Sequence, residues 1–219
     1  MVETLASKER KRQIKMLAFE AEARALGYLH IAGVDEAGRG PLAGPVVAAA
    51  CVLPQGASIA GIDDSKKLLP SERYEIFQKI VSLADVDYGI GIIDTLLIDQ
   101  VNILQATFQA MLAALSCLTK EPDFLLIDGN RMPKTLTPGI PIVKGDSLSL
   151  SIAAASILAK VTRDQLMKLY HEEWPHYGFD THKGYATKVH LEAIYKHGPC
   201  PIHRMSFEPL KSLKQKIKT

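Results

Sequence analysis

Cysteine is scarce in this chain, with three residues among 219. Cys51, Cys117 and Cys200 are widely spaced and form no Cys-x-x-Cys pair, which excludes a cysteine zinc cluster and indicates a reducing compartment. No apolar run approaches the roughly 20 residues that a transmembrane helix needs. The N-terminal segment carries charges throughout and lacks the apolar centre of a signal peptide. We therefore expect a cytoplasmic protein without a membrane span.

An excess of charge of one sign is also absent, since 26 Lys and Arg face 24 Asp and Glu, for a net charge of +2. The overall field therefore does not indicate a nucleic-acid partner, and any such surface must be a local patch. No Ser or Cys lies in a nucleophile elbow, which argues against a covalent intermediate. Internal repeats are absent too. We expect an N-terminal helical extension over residues 1–27 and one catalytic domain over residues 28–219.

Two adjacent carboxylates dominate the segment 31–45, where Asp35 and Glu36 follow an apolar strand-like run. Asp35 comes where the strand leaves the core, a suitable place for a metal ligand. Successive side chains of a strand point to opposite faces, so Asp35 and Glu36 share one metal site only if the strand ends or bulges there. A hairpin turn with an incidental acid pair is the alternative interpretation.

The turn after these acids contains Gly38, Arg39, Gly40 and Gly44. Glycines allow the main chain to approach a ligand closely, and Arg39 adds a fixed positive charge, so the turn suits a sugar-phosphate backbone. The glycine spacing superficially matches a dinucleotide-binding motif, which requires a following helix. Residues 45–53 begin with proline and are rich in valine, which instead predicts a second strand.

Strands and helices are mixed along the rest of the chain, which predicts an α/β fold with one sheet covered on both faces. Asn102 is expected to interrupt a long helical region. Besides the two strands around the acidic turn, the predicted strands are 86–93, 124–129 and 140–146. The predicted helices are 8–26, 71–83, 95–118, 147–170, 183–197 and 209–217.

Asp128 and Asp146 each follow a short apolar strand, as Asp35 does. Neighbouring strand ends would bring these acids and Glu36 together, where their mutual repulsion requires divalent cations. Ligation by oxygen alone selects Mg²⁺ or Mn²⁺ over zinc. Two ions about 4 Å apart could activate a water and stabilise the leaving 3′ oxygen of a phosphodiester. Asp128 or Asp146 alone would equally well be a turn residue at a strand end.

Several motifs in consistent order make the chain similar to bacterial ribonuclease HII between Tyr28 and Phe207. They lie at residues 33–45, 64–68, 102–107, 128–129, 144–147 with 152–160, and 177–185. Arg39 is typical of type HII rather than type HIII. The resemblance implies an RNase H-like fold with a mixed five-stranded sheet, an N-terminal helix and C-terminal helices. It also implies an endonuclease that uses Mn²⁺ or Mg²⁺, acts as a monomer and cleaves RNA in RNA–DNA hybrids.

The resemblance further implies cleavage 5′ of single ribonucleotides in duplex DNA, leaving a 3′-hydroxyl and a 5′-phosphate. Roles follow by motif position. The metal-binding catalytic carboxylates would be Asp35, Glu36, Asp128 and Asp146. The turn that senses the 2′-hydroxyl would be Gly38, Arg39 and Gly40. Phosphates would be held by Ser65, Lys66 and Lys67, and Tyr185 would stack on a sugar.

Other interpretations remain open at this stage. Tyr185 would otherwise be a tyrosine packed at the start of a helix. The histidines at 182, 190, 197 and 203 are expected to fill surface or core positions rather than act as general bases. A junction resolvase with similar acids, or a non-catalytic module that binds hybrids, are the alternative functions.

Overall fold

A computed structural model of the chain describes residues 5–62, 65 and 68–217. The strands are β1 Ile31–Ala37, β2 Val46–Val52, β3 Asp87–Ile93, β4 Phe124–Asp128 and β5 Gly139–Ile142. The helices are α1 Leu5–Met16, α2 Ala18–Ala25, α3 Pro70–Val81, α4 Thr95–Val101, α5 Ile103–Ser116, α6 Leu150–Glu173, α7 Phe179–His182, α8 Lys188–His197 and α9 Leu210–Ile217. Short 3-10 helices span Gly145–Ser147 and Pro175–Tyr177.

One mixed sheet contains all five strands in the order β3-β2-β1-β4-β5. β1, β2 and β3 form an antiparallel meander, in which Asp35 lies opposite Ala49. β4 pairs in parallel with β1, with Val34 opposite Ile127, and β5 pairs in parallel with β4. The parallel pairing brings the carboxyl ends of β1 and β4 to the same edge of the sheet. The predicted mixed five-stranded sheet is confirmed.

Helices cover both faces of the sheet, and the sequence of β2 shows why. Its residues are almost all buried because alternate side chains enter two different cores. Val47, Ala49 and Cys51 pack with α6 and α3 on one face, whereas the intervening residues pack with α5 on the other. A strand that is buried on both sides has a continuous apolar run, which is the pattern observed in the sequence.

α6 lies unusually close to β1. A Cβ atom added at Gly33 would lie 2.2 Å from the carbonyl carbon of Ser151 and 2.3 Å from the nitrogen of Ile152. The small buried residues Ala153, Ala154 and Ala155 allow the helix to approach. This packing fixes the helix against the strand that carries Asp35.

The N-terminal helix expected over residues 8–26 is two helices, α1 and α2, interrupted at Leu17. The two pieces bind different parts of the domain. Gln13 of α1 hydrogen-bonds the main chain of Ile59, whereas Glu20 of α2 accepts hydrogen bonds at the start of α6. None of the helices in the described ranges has the length and apolar composition that crossing a bilayer requires.

Two further boundaries differ from the prediction because residues adopt left-handed backbone conformations. Lys144 has a φ of 59°, so the chain turns after β5, and Asp146 lies in a 3-10 helix rather than at a strand end. Lys183 has a φ of 52° and ends α7. α8 therefore begins at Lys188, with Thr187 as its cap, and the predicted helix 183–197 loses its first turn.

Candidate active site

Three carboxylates meet at the edge where β1 and β4 end. Asp35, Asp128 and Asp146 each offer an oxygen, and these oxygens all lie within 4.8 Å of one another. Asp35 and Asp146 are 3% and 5% exposed, and Asp128 is half-buried. The parallel register of β1 and β4 places the first two side by side, and the 3-10 helix supplies the third. Segments remote in sequence thus build one acidic site.

Hydrogen bonds orient these carboxylates. The Gly145 N–H donates to Oδ1 of Asp128 at 2.7 Å, and the Glu36 N–H donates to Oδ1 of Asp35 at 2.6 Å. The Ser156 hydroxyl on α6 also hydrogen-bonds Asp35. Behind it, Ser65 Oγ lies 2.8 Å from Ser156 Oγ. The structure thus places Ser65, predicted to hold a phosphate, in a buried position that supports Asp35.

The electrostatics of the site favour a bound cation. Burial raises the pKa of Asp35 well above its ordinary value, and the negative charges of Glu36 and Asp128 raise it further. The hydrogen bonds from Ser156 and the Glu36 N–H act in the opposite direction. A divalent ion among these oxygens would relieve the repulsion, and a donor set of carboxylate oxygens suits Mg²⁺ or Mn²⁺. The residues therefore fit the metal that the sequence predicts.

Glu36 lies beside this group of three oxygens and is not part of it. The bulge that would join it to Asp35 is absent from β1, which stays paired with β2 as far as Ala37. Alternation along the strand directs Glu36 towards the face covered by α5, opposite Ala48. There it accepts a hydrogen bond from Arg39 at 3.1 Å and lines a cavity of about 250 Å³ with Asp128. Its role as a metal ligand stays a prediction.

A second cleft of about 250 Å³ adjoins the acidic site and is lined by the turn Gly38–Gly40 and by Tyr185. Tyr185 is 47% exposed. A Cβ atom added at Gly40 would lie 3.6 Å from its ring, so the ring faces the turn across a narrow gap. This geometry favours the stacking interpretation of Tyr185 over the packed one. Lys66 and Lys67, predicted to hold phosphates, lie outside the described residues.

Sequence reasoning missed three cationic residues around this cleft. Lys160 lines it from α6 and donates a hydrogen bond to Asp164 at 2.6 Å. Arg163, one helical turn further on, also lines the cleft, and Arg204 lies beneath the turn. Lys160 and Asp164 have the i, i+4 spacing of an ordinary ion pair on a helix surface, so their spacing in the sequence does not indicate that Lys160 lines a cleft.

Three of the histidines lie beside Tyr185, His190 and His203 buried and His182 half-buried, in the surface or core positions expected for them. His203 accepts a hydrogen bond from the Cys200 N–H at its Nδ1, so its proton lies on Nε2. That nitrogen is 3.0 Å from Nε2 of His190, which therefore accepts. His190 then donates from Nδ1 to the carbonyl of Tyr185 at 2.9 Å. His182 stacks on His190, completing the cluster. This chain of neutral imidazoles fixes the backbone of Tyr185.

Acid is expected to destabilise the protein through this histidine pair. Burial, assisted by the nearby imidazoles, lowers the pKa of His190 and of His203 to about 4. An unfolded histidine titrates at about 6.5, so below that pH the unfolded chain binds more protons than the folded protein. The stability is therefore retained above about pH 6.5, and the free energy of unfolding should fall by about 2 kcal/mol per pH unit below it, because both histidines contribute.

Urea denaturation of the wild type at a series of pH values between 7 and 5 measures this slope. The double variant His190→Asn/His203→Asn should show a shallower slope, because titration of all other groups is common to both proteins. The exposed His176→Gln serves as the matched control and should retain the wild-type slope. Equal slopes in the double variant and the wild type would refute the assignment.

Comparisons with known proteins agree with this geometry. The family model described as Ribonuclease HII matches residues 32–210. A ribonuclease HII of Ruminiclostridium cellulolyticum is 58% identical over 200 residues, covering 91% of this chain and 78% of that protein. One of Chlamydia trachomatis serovar L2 is 54% identical over 193 residues, covering 88% of each chain. The crystal structure of ribonuclease H2 from Pyrococcus horikoshii OT3 matches with a TM-score of 0.71 and 27% identity, over 87% of this chain and 100% of that one.

Proposed function

The chain belongs to the ribonuclease HII family, and from this membership we infer that it is an endonuclease that hydrolyses RNA in RNA–DNA hybrids. The single observation in the structure that carries this conclusion is the convergence of Asp35, Asp128 and Asp146 within 4.8 Å. Such a buried group of carboxylates is the donor set that a metal-dependent phosphodiesterase requires.

We propose that these three residues, with Glu36 beside them, hold Mg²⁺ or Mn²⁺ ions in a two-metal site. When bound, such ions neutralise the phosphate charge and lower the pKa of an attacking water. The chain itself orients the ligands, because the Gly145 N–H fixes Asp128 and the Ser156 hydroxyl fixes Asp35.

Substrate recognition is assigned to the cleft between the turn Gly38–Gly40 and Tyr185. Main-chain N–H and C=O groups suit a 2′-hydroxyl, which both donates and accepts hydrogen bonds. The exposed ring of Tyr185 faces that turn and is available to stack on a sugar. We therefore propose cleavage of hybrids and also cleavage 5′ of a single ribonucleotide in duplex DNA, leaving a 3′-hydroxyl and a 5′-phosphate. Lys66 and Lys67 remain proposed phosphate contacts, and the protein is proposed to act as a monomer in the cytoplasm.

A labelled DNA duplex with one internal ribonucleotide tests this proposal. With Mn²⁺ or Mg²⁺ we expect one cut on the 5′ side of the ribonucleotide, and no cut in the matched all-DNA duplex or in a four-way DNA junction. The ends are identified by ligation for the 5′-phosphate and by polymerase extension for the 3′-hydroxyl. An intact ribonucleotide duplex would refute cleavage at single ribonucleotides; cutting of the junction would favour a resolvase, and binding without any cutting would favour a non-catalytic module.

A further inference from the structure

Two buried guanidinium groups lie directly beneath the turn that faces Tyr185. Arg163 of α6 is 1% exposed, and Arg204, which precedes α9, is 0% exposed. Every hydrogen bond described for these two side chains ends on a main-chain carbonyl oxygen, and none of them ends on a carboxylate. Burial lowers the pKa of Arg163 to about 10 and that of Arg204 to about 9, so both remain charged at neutral pH. Charges buried at such cost need a reason.

Arg204 binds both sides of the turn. Its Nη2 donates to the carbonyl of Gly38 at 2.5 Å, and its Nη1 donates to that of Arg39 at 2.9 Å. Nε and Nη2 both donate to the carbonyl of Gly44, at 3.0 and 2.8 Å. One planar side chain therefore holds the peptide planes at both ends of the loop 38–44 in fixed relative positions.

Arg163 joins the same loop to the segment that carries the aromatic side of the cleft. It donates to the carbonyls of Ala43 and Pro45 at 3.1 and 3.0 Å, and to that of Lys183 at 3.0 Å. Lys183 is two residues before Tyr185. A main-chain hydrogen bond from the Leu42 N–H to the carbonyl of Gly184, at 2.8 Å, runs parallel to this connection. Both walls of the cleft are thus attached to one guanidinium.

Side chains packed beneath the loop also explain two glycines of the motif, Gly38 through Arg163 and Gly44 through Met167. A Cβ atom at Gly38 would lie 2.0 Å from Nε of Arg163, and one at Gly44 would lie 2.3 Å from the sulfur of Met167. Both glycines have positive φ, of 96° and 85°. Gly40 has no such conflict, since its nearest neighbour is the Tyr185 ring at 3.6 Å. Gly38 and Gly44 therefore allow the loop to lie on the side chains below it. At Gly40, by contrast, a Cβ would meet only the Tyr185 ring across the cleft.

We propose that Arg163 and Arg204 are positioning residues for ribose recognition. Their guanidinium groups fix the peptide planes of the loop 38–45 and hold that loop at a set distance from Tyr185. They also place two positive charges, without carboxylate partners among the described hydrogen bonds, behind a surface that must accept an anionic backbone. This inference rests on the proposed function of the cleft, and it adds two residues whose described hydrogen bonds all end on main-chain carbonyls of the loop 38–45 and of Lys183.

The test compares Arg204→Lys with the wild type and with Met167→Ala. Lysine keeps the charge but loses the planar fork that binds three carbonyls at once. Met167 is fully buried against Gly44 and, unlike the arginine, contributes no described hydrogen bond to the loop, so its truncation controls for lost stability. Circular dichroism and thermal unfolding establish that each variant is folded at the assay temperature. If Arg204→Lys does not fold, Arg163→Lys, which leaves the contacts of Arg204 in place, takes its role.

The readout is the ribose preference, measured as the inhibition constant of an all-DNA duplex divided by the KM of the same duplex with one ribonucleotide. We expect the wild type to have a ratio well above one and Arg204→Lys to lower it by about 10-fold or more, because charged hydrogen bonds that fix the loop are lost. Met167→Ala should keep the wild-type ratio, and the Mn²⁺ concentration for half-maximal activity should be the same in all three proteins.

Three contrary outcomes are distinguishable. A wild-type ratio above one that Arg204→Lys leaves unchanged would overturn the positioning role and leave the proposed function intact. A wild-type ratio of one would remove ribose recognition by this cleft, and the positioning role with it. An equal fall of the ratio in Met167→Ala would show that general loosening of the domain, rather than the guanidinium contacts, sets the preference.

Discussion

Substitution of Asp128 by Asn should reduce the cleavage rate by about 10³-fold or more while the protein stays folded, which corresponds to about 4 kcal/mol of lost transition-state stabilisation. Asn has the same shape and retains an oxygen that can accept the Gly145 N–H, so the hydrogen bond at 2.7 Å can persist. It lacks the negative charge that a cation needs among the oxygens of Asp35 and Asp146. Single-turnover cleavage of the ribonucleotide duplex measures the effect.

The matched control for this substitution is Asp123→Asn. Asp123 directly precedes β4, whereas Asp128 ends it. Like Asp128, Asp123 accepts main-chain hydrogen bonds at its carboxylate, here from the N–H groups of Leu29 and His30. We expect near-wild-type cleavage from Asp123→Asn, because this end of the strand lies away from the metal-binding group. Titration calorimetry with Mn²⁺ should show weakened binding for Asp128→Asn only. Near-normal turnover of Asp128→Asn would exclude it as an essential ligand.

Substitution of Gly33 by Ala should lower the free energy of unfolding by at least about 3 kcal/mol, the upper end of the usual cost of overpacking. The added methyl would lie 2.2 and 2.3 Å from main-chain atoms of Ser151 and Ile152, so α6 itself must move. Because α6 carries Ser156 and β1 carries Asp35, we expect cleavage to weaken as well. Urea denaturation followed by circular dichroism measures the stability change.

Gly40→Ala provides the comparison for stability, since its Cβ would make only an ordinary 3.6 Å contact with Tyr185. It should shift the free energy of unfolding by less than about 1 kcal/mol. If Gly33→Ala unfolds at the same urea concentration as Gly40→Ala, the close packing of α6 on β1 is not a determinant of stability. Gly40 lines the cleft, so its substitution is expected to affect activity and serves as a control for stability alone.

Much of the fold follows from local patterns. The apolar run of β2 predicts a strand buried on both faces, and its alternate residues do enter two cores. Asn102 breaks the long helical region as expected, with its side chain accepting hydrogen bonds from Leu104 and Gln105. The break at Leu17 is different in kind. It arises because α1 and α2 bind separate parts of the domain, and these long-range contacts cannot be predicted from the local sequence.

The acidic site was predictable because strand ends in a mixed sheet share an edge. Asp35 and Asp128 lie where that reasoning places them, whereas Asp146 reaches the group from a 3-10 helix after the left-handed turn at Lys144. Glu36 is separated from the group by the pleat of an uninterrupted strand. Asp35 and Glu36 were expected to share one metal site only if the strand ended or bulged there, and β1 contains no bulge and stays paired with β2 as far as Ala37.

The buried arginines could not be found from the sequence. Arg163 binds carbonyls about 120 positions earlier in the chain, and Arg204 binds carbonyls about 160 positions earlier, so only tertiary structure brings the partners together. Arg163 has no carboxylate at helical spacing, and Glu208, four residues after Arg204, is not among the hydrogen-bond partners described for that arginine. The glycines of the turn were the only indication in the sequence that something packs closely against this loop. The usual interpretation, that a glycine leaves room for a ligand, fits Gly40, whereas Gly38 and Gly44 leave room for Arg163 and Met167.

Manganese anomalous scattering from a crystal grown with Mn²⁺ tests the central claim most directly. The account predicts anomalous density among the carboxylate oxygens of Asp35, Asp128 and Asp146, the group whose oxygens lie within 4.8 Å of one another. A second peak on the side of Glu36 would extend the site to the proposed two ions. Manganese density at other residues, with these three carboxylates unoccupied at saturating Mn²⁺, would contradict it.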